Sequence, residues 1–146
     1  MKIFTAKRPG AKANPWLRDY IGGENVVRRG DVFYAKIEPG VGSEQSYDRP
    51  VVVIQNDIGN LHSTTTIVAM ITSKQKHLLP THVKLRGNKI GLSNKSIVML
   101  EQIRTVDKMR FIRSIGHLSN RTMKKVDRAL ACSLGLSKGG KNVLHK

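Results

Sequence analysis

The chain has 146 residues, of which 26 are Lys or Arg and 10 are Asp or Glu, for a formal charge of +16. That length suits one domain able to bury its own core without metal or disulfide support, and the charge restricts the natural partners to anions: nucleic acid, acidic protein segments or anionic membranes. The lone Cys132 excludes an internal disulfide and suits a reduced cytoplasm; no His or Cys cluster has zinc-site spacing, so neither metal nor cofactor is expected; no apolar run is long enough to span a bilayer, and the opening MKIFTAKRPGAKANPW lacks the continuous apolar stretch of a secretory signal.

Residues 1–26 hold Pro9, Gly10, Pro15, Gly22 and Gly23 amid scattered charge, poor material for a packed element, and read as a mobile basic arm with Trp16, Leu17 and Tyr20 able to dock. Residues 31–38 alternate as a half-covered strand, with Val32, Tyr34 and Lys36 on one side and Phe33, Ala35 and Ile37 on the other. Pro39 and Gly40 end it. Short β-branched runs at 51–54 and 67–71 flank a polar loop, and 82–85, 96–103 and 114–118 are further strand candidates. One helix begins after Ser119, a suitable N-cap. It sets Met123, Val126, Leu130 and Leu134 on one stripe with Lys124, Lys125 and Arg128 facing away, and Gly135 suits its C-terminal cap. The final SKGGKNVLHK has no periodicity, so 137–146 reads as a disordered tail. Short strands with Gly and Asn turns suggest a mainly β fold, a small and strongly curved barrel with a C-terminal helix.

The most informative stretch is 42–71, where GSEQSYDRP runs into VVVIQNDIG and then TTTIVAMI, ending on Thr72. If 50–55 and 66–71 pair as antiparallel neighbours, register sets Arg49 opposite Thr72 and brings a guanidinium and a hydroxyl together at the end of a strand pair.

The segments RRGDVFYAKIEPGVGSEQ, DRPVVVIQNDIGN, TIVAMITSK, LPTHV and SIVMLEQIRTVDK resemble, in the same order, the MazF type of PemK-like toxins, the ribosome-independent endoribonucleases of bacterial toxin–antitoxin pairs. The resemblance runs from about Val27 to Leu136, so a catalytic domain over 27–136 is expected. It implies an SH3-like barrel of the CcdB/PemK/MazF kind, a homodimer, cleavage of single-stranded mRNA at a short motif, and products ending in 2′,3′-cyclic phosphate and 5′-hydroxyl. It also implies neutralisation by an acidic antitoxin whose disordered segment folds across the RNA site. The charge of +16 independently fits both the RNA and an acidic competitor.

Metal-free RNA cleavage uses the substrate's 2′-hydroxyl as nucleophile, so the protein must help remove a proton, stabilise an anionic phosphorane and protonate the leaving 5′-oxygen. Arg49 suits the second task, because its planar fork binds two phosphate oxygens, and suits proton transfer poorly. The resemblance implies catalytic roles for the arginine of the RP dipeptide, Arg49, and for the threonine closing AMIT, Thr72. It implies substrate contacts for Ser43 and Gln102, with Glu101 and Ser73 as neighbours to test. Lys74, Lys76, Lys84, Arg86, Lys89 and Lys95 read as a phosphate-binding rim, and Phe33, Tyr34 and Tyr47 as the rings available to hold a base. Of the five histidines, His77 and His82 flank the loop beside Thr72 and are the acid–base candidates.

Plainer roles stand beside these. Arg49 has Asp48 and Glu44 as ion-pair partners, Thr72 is a good strand residue whose hydroxyl can satisfy backbone, Gln102 and Ser43 suit a strand end and a turn, and the lysines suit a solvated loop. Two departures from the family pattern are Ser46, Tyr47 and Asp48 before the RP arginine, where small or apolar residues are usual, and the long basic arm. Asp48 either weakens the grip of Arg49 on phosphate or accepts a proton. The rival functions are a toxin of the same barrel acting on a protein target such as DNA gyrase, and a non-catalytic RNA-binding module.

Overall fold

The computed structural model of the chain describes residues 26–44, 47–74 and 77–136. The arm expected over 1–26, apart from Val26, the tail expected over 137–146, and Lys76 lie outside the described residues. Among the described residues six strands, β1 (Asp31–Ala35), β2 (Arg49–Val53), β3 (Thr65–Thr72), β4 (His82–Lys84), β5 (Ile97–Asp107) and β6 (Phe111–His117), form one sheet in the order β4-β5-β3-β2-β1-β6. Every ladder in it is antiparallel. Helix α1 (Asp57–His62) joins β2 to β3, a single 3₁₀ turn (Lys108–Arg110) joins β5 to β6, and α2 (Asn120–Leu134) follows the sheet.

That connectivity forces the sheet to curl. Strands β5 and β6 are separated by β3, β2 and β1, so in a flat sheet they would lie about 19 Å apart at ~4.8 Å per strand. The chain passes from Asp107 to Phe111 in four residue steps, which reach at most about 14 Å even fully extended. Among the described residues the curl stops short of closure, since β4 and β6 share no ladder. The sequence-based expectation of a curved, mainly β fold with a C-terminal helix is met.

Curling gives the sheet two apolar faces. The concave face packs Phe33, Ala35, Val51, Val53, Val68, Met70, Ile97, Met99, Val106 and Phe111 against one another, with the Phe33 and Phe111 rings stacked at a centroid distance of 4.1 Å. The convex face packs Val32, Val52, Ala69, Ile71, Val98 and Leu100 under Met123, Val126 and Ala129 of α2. Each buried Val, Ile, Leu, Met or Phe contributes on the order of 1.5–3 kcal/mol. The alternation read over 31–38 holds in phase, but both of its sides are covered: Val32, Phe33, Ala35 and Ile37 are all buried, and β1 itself ends at Ala35.

Helix α2 is the helix expected after Ser119. The Ser119 Oγ accepts the Thr122 N–H at 3.2 Å, and Gly135 ends the helix in the left-handed region at φ 70°. Its buried stripe is Met123, Val126 and Ala129, with Leu130 partly buried against the same core and Leu134, in the last turn, 52% exposed.

The linker between β2 and β3 is not a polar loop but carries α1. Asn56 caps it by accepting the Gly59 N–H at 2.8 Å, and Asp57 Oδ1 accepts the distant Arg29 N–H at 2.7 Å. Asn60 is fully buried. Its Oδ1 accepts from Thr66 Oγ1 at 2.7 Å and Gln55 Nε2 at 3.1 Å, its Nδ2 donates to Gln55 O at 2.9 Å, and the buried Lys108 ammonium donates to its carbonyl. Burial lowers the pKa of Lys108, while neighbouring Asp107 opposes that shift.

Candidate active site

The β2–β3 ladder pairs Val51 with Met70, Val52 with Ala69 and Val53 with Val68. That is the predicted register, and two residues further it sets Arg49 opposite Thr72. On the other side Arg49 pairs with Ala35 of β1, Thr72 pairs with Ile97 of β5, and Ile97 pairs with Lys84 of β4. One lateral row therefore reads Ala35, Arg49, Thr72, Ile97, Lys84.

Side chains alternate between faces along a strand. Val51, Val53, Val68, Met70 and Ile97 belong to the concave core, so Arg49, Thr72 and Lys84 project to that same face, away from α2. Lys84 stands two strands from Thr72, about 10 Å at ordinary strand spacing. The row is where the concave core ends and polar chemistry begins.

Burial lowers the pKa of Arg49, with Tyr34 opposing the shift. The functional meaning is partial desolvation: a guanidinium that has already shed some water holds an incoming anion more strongly. Thr72 is 6% exposed, and its Oγ1 accepts the Lys74 N–H at 3.2 Å. A hydroxyl that accepts from backbone keeps its own proton to donate. The backbone-satisfying role and a donor role toward phosphate are therefore compatible in Thr72.

A bulge in β5 lies interior to this row, beyond the pairing of Met70 with Met99. Ala69 pairs with Ile103, but the next residue, Met70, pairs with Met99, so residues 100–102 have no partner in the β3 ladder. The expelled segment carries Glu101 and Gln102. Gln102 Nε2 donates to the Ser43 carbonyl at 3.3 Å, so the fold brings together two residues that lie 59 apart in sequence. Arg104 Nη1 donates to the Glu38 carbonyl at 3.3 Å, and Arg110 Nη2 meets Glu38 Oε1 at 2.6 Å. The bond from Arg110 lowers the pKa of Glu38. These ties hold the β1–β2 loop against β5, a role for Glu38, Arg104 and Arg110 that no local motif announces.

Glu101 holds the next loop. Its Oε2 accepts from Thr81 Oγ1 at 2.7 Å, and its Oε1 lies 2.6 Å from His82 Nε2. Nδ1 of His82 accepts the Leu79 N–H at 3.1 Å, which places the ring proton on Nε2 and directs it to the carboxylate. The His82 side chain is 2% exposed. An imidazole committed at both nitrogens and closed to solvent is an anchor, so the acid–base reading of His82 gives way to a structural one. Burial raises the pKa of Glu101, but the Thr81 and His82 bonds outweigh it and the net shift is downward.

The expected rim divides. Lys74 and Ser73 are exposed just beyond Thr72, and Lys84 lies in the row. Arg86, Lys89 and Lys95 are exposed on the β4–β5 loop, whose Ile90 and Leu92 pack into the convex core. Phe33 is 0% exposed, so it holds no base: the curl of the sheet turns what looked like an open strand face inward. Tyr34 is half-buried beneath the Arg113 guanidinium, 5.3 Å from the ring centroid. Tyr47 is 72% exposed, two residues from Arg49, with a backbone φ of 67°, a conformation that costs a non-glycine residue about 1 kcal/mol or more.

Residues 28–134 match the family described as PemK-like, MazF-like toxin of type II toxin–antitoxin systems. The chain is 54% identical over 112 residues to endoribonuclease EndoA of Bacillus subtilis (strain 168), a match covering 76% of this chain and 97% of that protein. Among solved structures, an endoribonuclease in complex with its cognate antitoxin from a mycobacterial species aligns with a TM-score of 0.64 at 26% identity, over 77% of this chain and 98% of that one. The crystal structure of MazF (Form-I) from Deinococcus radiodurans aligns with a TM-score of 0.66 at 22% identity, over 75% and 97%, a likeness of fold.

Proposed function

The chain belongs to the PemK-like, MazF-like toxins of type II toxin–antitoxin systems, and from that premise we propose that it is an endoribonuclease cutting single-stranded mRNA through the substrate's own 2′-hydroxyl, independently of metal and ribosome. The observation that carries this reading is the lateral row on the concave face, where the half-buried Arg49 guanidinium and the Thr72 hydroxyl occupy opposed positions beyond the last apolar pair. Arg49 holds two non-bridging oxygens of the scissile phosphate and stabilises the charge that grows on them in the phosphorane. Thr72, its lone pair engaged by the Lys74 N–H, donates a hydrogen bond to the same phosphate. Lys84, Lys74 and Ser73 meet flanking phosphates, and the Gln102–Ser43 wall and the Tyr47 ring meet the bases. The 2′-hydroxyl gives up its proton to water as its oxygen attacks phosphorus, and the P–O5′ bond breaks with water protonating the departing 5′-oxygen, which leaves a 2′,3′-cyclic phosphate on one product and a 5′-hydroxyl on the other.

The likeness to an endoribonuclease solved with its cognate antitoxin supports an acidic antitoxin that covers this concave site, and the family supports a homodimer acting in the cytoplasm. Among the described residues no helix is long and apolar enough to cross a membrane. The test is digestion of a long natural RNA by the purified protein in EDTA, with every cut mapped by primer extension and the product ends identified. Discrete cuts at one recurring short sequence, with cyclic phosphate and 5′-hydroxyl ends, are the expected result. Intact RNA together with inhibition of DNA gyrase would replace this reading by a protein-directed toxin, and tight binding without cuts would replace it by a passive RNA binder.

A further inference from the structure

Helix α2 seals the convex face, on the side of the sheet opposite Arg49 and Thr72. Its outward surface presents Arg121, Lys124, Lys125 and Arg128, all exposed. Those positions are related by i,i+3 and i,i+4 steps, which place neighbouring side chains about 5–6 Å apart on one stripe of a helix. Arg121 with Lys125, and Lys124 with Arg128, are like-charge i,i+4 pairs, an arrangement that destabilises a helix. The first turn holds no acidic residue and does hold Arg121, against the preference of the positive end of the helix dipole. Asp127, the one acidic residue in the helix, meets Arg29 Nη2 at 2.6 Å, and among the described residues no acid forms a salt bridge with the stripe.

We propose that this stripe is a second RNA-binding surface, which holds the phosphodiester backbone of a long RNA without regard to sequence while another segment occupies the concave site. A protein partner fits the stripe less well. Docked peptides and proteins need apolar or aromatic anchors at the centre of their contact, whereas Met123, Val126 and Ala129 are buried beneath the stripe and the exposed Leu134 and Leu136 lie beyond its C-terminal end. A flexible polyanion needs only regularly spaced cations. The inference rests on RNA being the substrate, but it locates affinity for long RNA on a surface separate from the chemistry.

The test compares the full chain with the fourfold variant Arg121→Gln, Lys124→Gln, Lys125→Gln, Arg128→Gln. Two readouts are taken: cleavage of a short oligonucleotide carrying the preferred motif, and binding of a long RNA lacking that motif as a function of salt. Short-substrate cleavage should be unchanged, because no substituted residue faces the concave site. Binding of the long RNA should weaken, with the slope of log K against log salt falling by about 2.8, at ~0.7 for each single-strand phosphate that the variant no longer neutralises. The charge-preserving variant Arg121→Lys, Lys124→Arg, Lys125→Arg, Arg128→Lys should keep the wild-type slope. Should the fourfold variant fail to fold, Lys125→Gln alone, with an expected fall of about 0.7 in slope, carries the same comparison. An unchanged slope would overturn the inference, as would an unchanged slope accompanied by loss of antitoxin binding, which would assign the stripe to an acidic protein. A wild-type protein that binds long RNA with the steep slope but cuts nothing would overturn the endoribonuclease reading and leave this surface standing.

Discussion

Two stretches of the same strand pair, on the same face, lie one side-chain repeat apart. Val51 opposite Met70 is fully enclosed apolar core; Arg49 opposite Thr72, two residues further, is cationic and polar at the lip of that core. The backbone does not distinguish them, since both pairs follow from one register. On the proposed reading this fold separates labour: the interior rows fix where the pair stands, and the terminal row carries the chemistry. A site mounted on strand ends in this way takes its precision from packing beneath it, and the loops that line it need their own ties, from Glu38 and Gln102 on one side and Glu101 on the other.

The largest expected effect comes from breaking the interior row. Met70→Ala leaves a cavity in the concave core and should lower unfolding stability by about 3 kcal/mol, measurable by denaturant titration, while cleavage per folded molecule stays near wild type. In the terminal row the pattern should invert. Arg49→Ala should slow cleavage by about a hundredfold or more, the scale of losing one transition-state contact, with no loss in thermal midpoint. Equal loss of stability in both variants would dissolve the contrast between the rows.

Smaller effects sharpen it. Lys84→Gln removes a cation from the far end of the row and should reduce the salt slope of substrate binding by about 0.7, leaving the cleavage step at saturation unchanged. Glu101→Gln tests the loop anchor through pH. Because the folded-state pKa of Glu101 is lowered, its carboxylate contributes stability above the ordinary glutamate pKa, and that contribution is lost as pH falls from there through the lower folded-state value. Thermal unfolding between pH 7 and pH 3 should therefore decline less steeply in Glu101→Gln than in wild type. Parallel declines would place the acid sensitivity elsewhere.

The register of β2 on β3 is legible in the sequence because RPVVV and TTIVAMIT are short, β-branched and bounded by polar residues, so few pairings are possible. Helix α2 is legible through its cap and stripe. Helix α1 is not, because DIGNLH has no apolar period and contains a glycine; it is held by contacts with Arg29 and Lys108, which lie far off in the chain, and with Thr66 at the start of β3. The β5 bulge is equally hidden, since the run 96–103 reads as an uninterrupted strand while β5 continues to Asp107, and the break appears only in its pairing with β3. Phe33 misleads for a related reason: alternation identifies two sides of a strand but does not say that a curled sheet covers both. His82 looks available as an acid or base until the two groups that commit its nitrogens, Leu79 N–H and Glu101, are placed beside it.

The claim that Arg49 and Thr72 act as one unit on one phosphate is tested most directly by a double-mutant cycle on the cleavage rate, measured under single-turnover conditions for Arg49→Ala, Thr72→Val, the double variant and wild type. Residues that stabilise the same transition state together are strongly non-additive. The double variant should therefore be little slower than the slower single variant. Losses that multiply across the two positions would show that they act independently and would contradict the shared site.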